Sequence, residues 1–287
     1  MSYIEAIRRR FSVRHYQAKP IPEEILETIE KASRTCTPLD EKIQMHCHLI
    51  KEGKQVAGLM TLQTGRSWLF GSAPHFIIAT ALETPGYMLE TGFRMEQMVV
   101  LATTQGLGTC WIGGLFTEEQ IAGFLKLPDG ERVIAITPLG YPDNSFYGRT
   151  VHNLMHVHTP GSQRRKPIEQ IVSGPKFGLP LETSDRELLE VLELTRLAPS
   201  WTNSQPWRFL VDGDDIIALA EIKSSRFYHG KLYYRLDVGI AMSHFYLSAK
   251  ELGWQGKWQV NGFDPARVAQ QHTVPAGYEV LGIYTRH

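Results

Sequence analysis

From Leu89 onward the first half of this 287-residue chain recurs in the second half at a spacing of 147 residues, and upstream the spacing lengthens, with Leu49 matching Leu210. This repeat constrains the fold more than any other feature. At a shift of 147 residues, glycine, proline and tryptophan meet residues of their own type without a gap. These pairs include Gly92 with Gly239, Trp111 with Trp258, and Pro128 with Pro275. A period this long is too large for a solenoid repeat and indicates duplication of a domain-sized unit. We therefore expect two related units, residues 1–172 and 173–287, that form an intramolecular pseudo-dimer.

Helical and extended patterns alternate along both halves of the chain, which is typical of an α/β or α+β fold. Helices are predicted at residues 3–10, 22–34, 87–105, 118–125 and 185–197, and strands at 45–50, 75–81, 110–112, 132–139 and 208–211. In the helix at 185–197, the apolar residues predicted to share one buried face are Leu188, Leu189, Val191, Leu192 and Leu194.

Composition excludes several classes of function. The 30 basic and 30 acidic residues cancel, so nothing in the charge favours nucleic acid or an anionic membrane as a partner. No apolar run approaches the roughly 20 residues that cross a bilayer, and the N-terminal residues lack the apolar stretch of a secretory signal. The three cysteines show neither disulfide nor zinc-ligand spacing. We expect a cytoplasmic protein that acts on a small molecule.

Residues 198–207, which join the predicted helix 185–197 to the strand 208–211, read A-P-S-W-T-N-S-Q-P-W. Pro199 ends the helix and fixes the backbone angle φ. Ser200, Asn203 and Gln205 add hydrogen-bonding groups to this semi-rigid loop. A binding loop and a polar connection whose amides satisfy their own backbone both fit this pattern.

An arginine-rich segment lies at the opposite end of the chain, where residues 10–14 read R-F-S-V-R. Arginine carries a permanent charge and forked donors that suit a phosphate group, and Ser12 adds a hydroxyl. The alternative is a solvated basic cap, because Arg8 and Arg9 share the end of the same helix and cations are favourable there.

Two further segments are candidates for a binding site. Residues 106–114 read G-L-G-T-C-W-I-G-G, which is not a dinucleotide fingerprint because it lacks the third glycine and follows a helix. Residues 164–172 read R-R-K-P-I-E-Q-I-V, which by itself is equally compatible with a basic linker.

Together the four segments resemble the FMN-dependent nitroreductase family, and the repeat resembles its tandem members. The resemblance covers nearly the whole chain. It implies an α+β, nitroreductase-like fold in which the 198–207 loop reaches the flavin of the partner unit. It also implies an FMN-dependent NAD(P)H oxidoreductase that reduces an electron-poor small molecule. No catalytic side chain is implied, because the flavin performs the redox chemistry.

The resemblance implies that the first half of the chain contacts the phosphate and the ring of FMN. The phosphate contacts are Arg10, Ser12 and Arg14, together with the backbone of Phe11, where the family usually has a polar or basic side chain. The residues implied to lie near the ring are Trp111, Ile112, Gly113 and Gly114, with the Gly113 N–H directed at the flavin N5. A backbone donor there stabilises N5 without competing as an acid. Cys110 is interpreted as a small apolar filler.

The same resemblance assigns further contacts to the second half. A basic residue of the 164–172 segment returns to the phosphate: Arg165 first, Arg164 second, with Arg149 a weaker candidate. The loop contacts on the ribityl-phosphate side are Pro199, Ser200, Trp201 and Asn203, while Gln205 braces the loop.

The internal repeat is not kept in the segments that the resemblance assigns to FMN binding. The second half has no R-x-S-x-R segment, and residues 253–261 have lost the pattern of 106–114. The first half has residues 35–42 in place of the 198–207 loop. The two halves therefore hold complementary parts of one site, which predicts one FMN per chain and a monomer that needs no second copy.

Two other functions remain open at this stage: an FMN-binding module without turnover, and a scaffold that no longer binds a cofactor. A metal site at His152, His156 and His158 is disfavoured because no carboxylate or cysteine lies nearby to complete it. Substrate choice is expected in the loop before Ala73 and in residues 226–234, whose aromatic residues are Phe227, Tyr228, Tyr233 and Tyr234.

Overall fold

The computed structural model describes residues 1–64, 72–114, 116–143, 145, 164–222 and 231–287. The chain divides into two compact units. Unit 1 comprises Met1–Thr37, Glu41–Tyr87 and Gln97–Ser162; unit 2 comprises Pro38–Asp40, Met88–Glu96 and Gln163–His287. The expected boundary at residue 172 stays a prediction.

The described helices and strands alternate as the sequence pattern indicates. The helices are α1 Tyr3–Arg9, α2 Glu23–Thr35, α3 Gly53–Thr64, α4 Tyr87–Thr104, α5 Glu118–Leu125, α6 Arg186–Arg196, α7 Tyr233–Glu251 and α8 Pro265–Gln271. The strands are β1 Met45–Ile50, β2 His75–Leu82, β3 Gly108–Thr109, β4 Glu131–Gly140, β5 Val172–Ser173, β6 Trp207–Asp212, β7 Asp215–Glu221, β8 Trp258–Gln259 and β9 Tyr278–Thr285. Short 3₁₀ turns lie at Ile168–Gln170 and Trp201–Asn203.

Unit 1 is built on an antiparallel sheet of order β1-β2-β4-β3. Strands β2 and β4 are buried along most of their length, and a register shift interrupts their pairing between Ala79 and Thr80. The core of this unit includes Val13, Tyr16, Phe76, Ile78, Ile112 and Ile136. The segment that carries Val13 and Tyr16 therefore belongs to the core of unit 1 and is not a solvated extension of α1.

Unit 2 is built on a sheet of order β5-β6-β7-β9-β8, antiparallel apart from the short β5–β6 pair. A register shift again interrupts the central pairing, here between Ala218 and Leu219. Helix α7 is buried along most of its length. An aromatic cluster joins this helix to the sheet through Phe209, Phe245, Trp254, Trp258 and Tyr284.

Two glycines allow the Met88–Glu96 part of α4 to pack closely on α7 within unit 2. A Cβ atom added to Gly92 would lie 2.1 Å from the Leu236 carbonyl oxygen. A Cβ atom added to Gly239 would lie 2.1 Å from the Leu89 carbonyl oxygen. Both distances are shorter than van der Waals contact, so both positions need a residue without a side chain.

The structure confirms the α+β class and most predicted elements, and it differs from the prediction at several points. Leu189 is 39% exposed, so it does not join the buried face of α6. The strand predicted at 110–112 lies earlier, at β3, because Ile112 makes only an isolated bridge to Ile136. Helix α3 was not predicted, since Gly53 and Gly58 weaken its helical pattern.

Candidate functional site

The arginine-rich segment and the 106–114 segment meet in unit 1. Ser12 pairs in parallel with Thr109 of β3, and the Val13 amide donates to the Thr109 carbonyl at 2.8 Å. A Cβ atom on Gly108 would lie 2.5 Å from Val13 Cγ2, so glycine is what permits this close pairing. Two segments almost one hundred residues apart in sequence thus form one local structure, as the sequence predicts.

Cys110 lies inside this structure as a buried thiol. Its Sγ donates to the Trp111 carbonyl at 3.9 Å, and the nearby Arg14, Ser12 and Arg10 side chains act to lower the pKa of the thiol. Burial nevertheless outweighs them and raises the pKa of the Cys110 thiol. A thiol with a raised pKa is a poor nucleophile and redox group, which agrees with its interpretation as a filler.

Arg14 is held firmly by its neighbours in the chain. On one side, the Tyr16 hydroxyl donates to the Val13 carbonyl at 2.6 Å. On the other, the His15 imidazole Nδ1 lies 3.0 Å from an Asp143 carboxylate oxygen, and the Asp143 amide donates to the His15 carbonyl at 3.0 Å. Backbone and side-chain bonds thus fix the chain on both sides of Arg14.

Nη1 of Arg14 and Oγ1 of Thr109 are buried polar atoms that have no hydrogen-bond partner among the residues that the structure describes. A buried donor without a partner is unfavourable, and such groups in native proteins usually receive a ligand or a water molecule. The charge on Arg14 selects an anion, and its forked donors fit phosphate oxygens. The donor set therefore fits a phosphate group, which is one part of FMN.

The C-terminal part of the 106–114 segment, which follows Thr109, contains partly exposed residues. Trp111, Gly113 and Gly114 are half-buried, whereas Ile112 is buried and exchanges two 2.9 Å backbone hydrogen bonds with Ile136 of β4. Phe11 is 47% exposed. The structure thus fixes the backbone of the segment at Ile112 and leaves its neighbours accessible.

In unit 2, residues 198–207 form a strained loop around the 3₁₀ turn Trp201–Asn203. Thr202, Asn203 and Gln205 all have positive φ, at 48°, 58° and 47°, although none is glycine. Left-handed backbone in such residues costs about 1–3 kcal/mol each and persists only where the surroundings enforce it. Three strained residues within four positions mark the loop as a candidate for function.

Side chains of the loop and of the 164–172 segment enforce this conformation. Gln205 accepts from the Lys166 amide at 2.8 Å and donates to the Arg164 carbonyl at 3.1 Å. The backbone amide of Gln205 donates to the Ser200 hydroxyl at 2.9 Å. Gln205 is 3% exposed, so its prediction as a brace of the loop is confirmed.

Arg165 also contacts the loop. One guanidinium nitrogen donates to the Asn203 side-chain oxygen, and the other donates to the Leu197 carbonyl at 3.0 Å. The Asn203 side-chain nitrogen donates to the Arg164 carbonyl at 2.6 Å. In this structure Arg165 and Asn203 hold one another, and a role for either at a phosphate stays a prediction.

Asp237 is a residue of this loop structure that the sequence did not reveal. Its carboxylate oxygens accept from the Trp201 amide at 3.0 and 3.2 Å, and it is 2% exposed. The Trp201 ring packs 5.8 Å from the Tyr233 ring at the start of α7. The available signal was a carboxylate within an otherwise apolar helical run, since aspartate is almost never fully buried without a partner.

Some predicted residues lie outside the described part of the chain: Arg149, His152, His156, His158, Phe227 and Tyr228. Among the residues that are described, no group of three histidine, cysteine, aspartate or glutamate side chains is arranged to hold a metal ion. No helix in the same part of the chain is long and apolar enough to span a membrane.

Comparison with known proteins identifies the family. Residues 2–249 match the model of the family described as "Putative TM nitroreductase". The chain belongs to this nitroreductase family. A crystal structure of a "putative nitroreductase" from Thermotoga maritima matches all of this chain and 93% of its own, at 24% identity and a TM-score of 0.60. That likeness confirms the nitroreductase fold.

A curated relative from Methanothermobacter thermautotrophicus is named "Putative NADH dehydrogenase/NAD(P)H nitroreductase". It is 29% identical over 168 residues, which cover 55% of this chain and 86% of that protein. The family and the name of this relative support oxidoreductase activity.

Proposed function

We propose that this member of the nitroreductase family is an FMN-dependent oxidoreductase that uses NAD(P)H to reduce an electron-poor small molecule. The observation that carries the proposal is the buried Nη1 of Arg14, which has no partner among the described residues, beside Ser12 and Arg10. Bound FMN would supply the hydride chemistry, taking electrons from NAD(P)H and passing them to the acceptor.

In this proposal the chain binds and orients the cofactor. Arg14 and Arg10 neutralise the phosphate charge, and Ser12 adds a hydroxyl between them in the sequence. Trp111, Gly113 and Gly114 supply a surface and backbone donors for the ring. No side chain needs to act as an acid or a base.

We also propose that the chain is a tandem duplication with one FMN site. The shared strand order supports the duplication, because β1-β2-β4-β3 in unit 1 corresponds to β6-β7-β9-β8 in unit 2. The family resemblance assigns the second set of contacts to Pro199, Ser200, Trp201 and Asn203, with Arg165 and Arg164 beside them. One FMN per chain follows because each half has kept only one of the two sets.

The test is FMN binding by the purified protein, measured by its visible spectrum and by titration of the colourless fraction. We expect saturation at one FMN per chain. Arg14→Ala should weaken binding by about tenfold or more, because a charged hydrogen bond to the phosphate is lost. Arg9→Ala is the matched control, since Arg9 is exposed and pairs with Glu5 on the same helix. Saturation at two FMN per chain, or equal effects of the two substitutions, would refute the proposed site.

A second candidate is an FMN-binding module without turnover. The observation that favours it is Phe11, whose exposed side chain offers no polar group at a position where the resemblance expects one. NAD(P)H added to the FMN-loaded protein without oxygen separates the two candidates. Bleaching of the flavin absorbance supports the enzyme, and persistent absorbance supports the module.

A further inference from the structure

The two halves of the chain carry a pair of buried carboxylates at equivalent positions of their long helices. Glu90 of α4 and Asp237 of α7 are 147 residues apart, which is the spacing of the internal repeat. Glu90 is fully buried and Asp237 is 2% exposed. Two carboxylates kept out of water at matching positions need partners: both accept from backbone amides, and Glu90 also lies 3.9 Å from Arg94 Nε.

Glu90 holds the loop between α2 and β1, and Asp237 holds the loop between α6 and β6. Glu90 Oε2 accepts from the Leu39 amide at 2.9 Å and from the Asp40 amide at 3.1 Å. Asp237 accepts from the Trp201 amide with both oxygens, at 3.0 and 3.2 Å. The chain therefore contains two copies of one carboxylate-to-loop clamp, both within unit 2.

The two clamps hold loops of different kinds. The Glu90 clamp holds residues 37–42, which carry none of the residues assigned to FMN. The Asp237 clamp holds the 3₁₀ turn Trp201–Asn203, where Thr202 and Asn203 have positive φ. The first amides of such a turn have no partner within it, so the Trp201 amide needs an acceptor from elsewhere. Asp237 supplies that acceptor with both carboxylate oxygens.

We propose that Asp237 is a positioning residue for the cofactor, a role that rests on the function proposed above. By fixing the Trp201 amide, Asp237 keeps residues 199–203 in the strained conformation that binds FMN. Without this acceptor the Trp201–Asn203 turn relaxes. FMN binding must then order the turn again, which weakens the affinity. Glu90 performs the same structural task for the 37–42 loop and has no part in FMN binding.

The experiment compares substitutions at the two clamps. Asp237→Ala removes the acceptor, Asp237→Asn keeps a neutral oxygen, and Glu90→Ala and Glu90→Gln are the matched controls. Each variant is measured for FMN affinity by titration, and for hydrogen–deuterium exchange of the loop peptides in the absence of FMN. The exchange measurement reports the clamp itself and needs no cofactor.

We expect Asp237→Ala to speed exchange in residues 199–205 and to raise the Kd for FMN by about tenfold, the usual effect of leaving a buried amide without its acceptor. Asp237→Asn should raise the Kd by about two- to fivefold, since its side chain keeps one acceptor oxygen in place of two. The Glu90 variants should speed exchange in residues 37–42 while the Kd for FMN stays within about twofold of wild type. If Asp237→Ala does not fold, Asp237→Asn against Glu90→Gln makes the same comparison.

Two results overturn the proposal in distinguishable ways. An unchanged Kd for FMN in the Asp237 variants, with faster exchange in the loop, would show that the clamp is structural only while the FMN site stands. A wild-type protein that binds no FMN at any concentration would remove the proposed function and this role with it, whatever the exchange data show.

Discussion

The close packing of α4 on α7 makes Gly92→Ala a sharp test of the structure. The new Cβ atom would lie 2.1 Å from the Leu236 carbonyl oxygen, 2.9 Å from its carbonyl carbon and 3.1 Å from the Ile240 nitrogen. All three atoms belong to the backbone of α7, so no side chain can rotate away. The two helices must separate by about 1.3 Å to restore an ordinary contact of about 3.4 Å.

The expected loss of stability follows from two opposing effects. Overpacking of a buried contact destabilises by about 1–3 kcal/mol, and a backbone obstacle favours the upper end of that range. Alanine recovers about 1 kcal/mol through its higher helix propensity. We therefore expect Gly92→Ala to lower the free energy of unfolding by about 2 kcal/mol, which corresponds to a fall in Tm of about 4–8 °C.

Urea unfolding of the variant provides the measurement, with Gly123→Ala as the matched control. Gly123 is an exposed position of α5, and a Cβ atom there meets no atom within 4 Å. The free energy of unfolding of Gly123→Ala should rise by up to about 1 kcal/mol, because alanine has a higher helix propensity than glycine. The two alanine variants should therefore differ by about 3 kcal/mol. A Gly92→Ala protein as stable as wild type would refute the packing of these two helices.

Two further predictions concern stability and its pH dependence. Burial raises the pKa of Glu90 to about 7, so the folded chain holds a proton between pH 4.5 and 7 that the unfolded chain has lost. The free energy of unfolding should therefore fall by up to about 3 kcal/mol as the pH rises through that window. Glu90→Gln should lack this fall in urea titrations at several pH values, and a parallel fall in both proteins would contradict it. Asp264 caps α8 by accepting from the Ala266 amide at 3.0 Å, so Asp264→Ala should cost about 1 kcal/mol in urea unfolding and Asp264→Asn much less.

Local sequence patterns predicted most elements of the fold. The strand predicted at 45–50 coincides with β1. Hydrophobic periodicity did not define the buried face of α6 correctly. Five apolar residues on a short helix cover too wide an arc, and only tertiary packing shows that Leu189 faces solvent. The sequence could not indicate α3, because its buried residues Val56 and Met60 are separated by a helix-weakening glycine.

The candidate site was predictable in part. The resemblance brought residues 10–14 and 106–114 together before the structure showed Ser12 paired with Thr109. The sequence could also indicate that Gln205 braces its loop. It could not show that Asp237 accepts the Trp201 amide, because a helical aspartate points to solvent by default and its partner is 36 residues away. Contacts of this kind depend on the packed fold.

The paired clamps suggest why a duplicated chain can lose half of its binding residues and still keep its fold. Glu90 still orders the loop of its half, although that loop no longer carries the A-P-S-W-T-N pattern. The clamp and the glycine contact of the helices contribute to folding in both halves, so both are retained at the 147-residue spacing. Under the proposed function, the FMN contacts contribute to binding, and one complete set suffices for one site. Under the proposed duplication, a position kept in only one half, such as Arg14, is therefore a candidate for function.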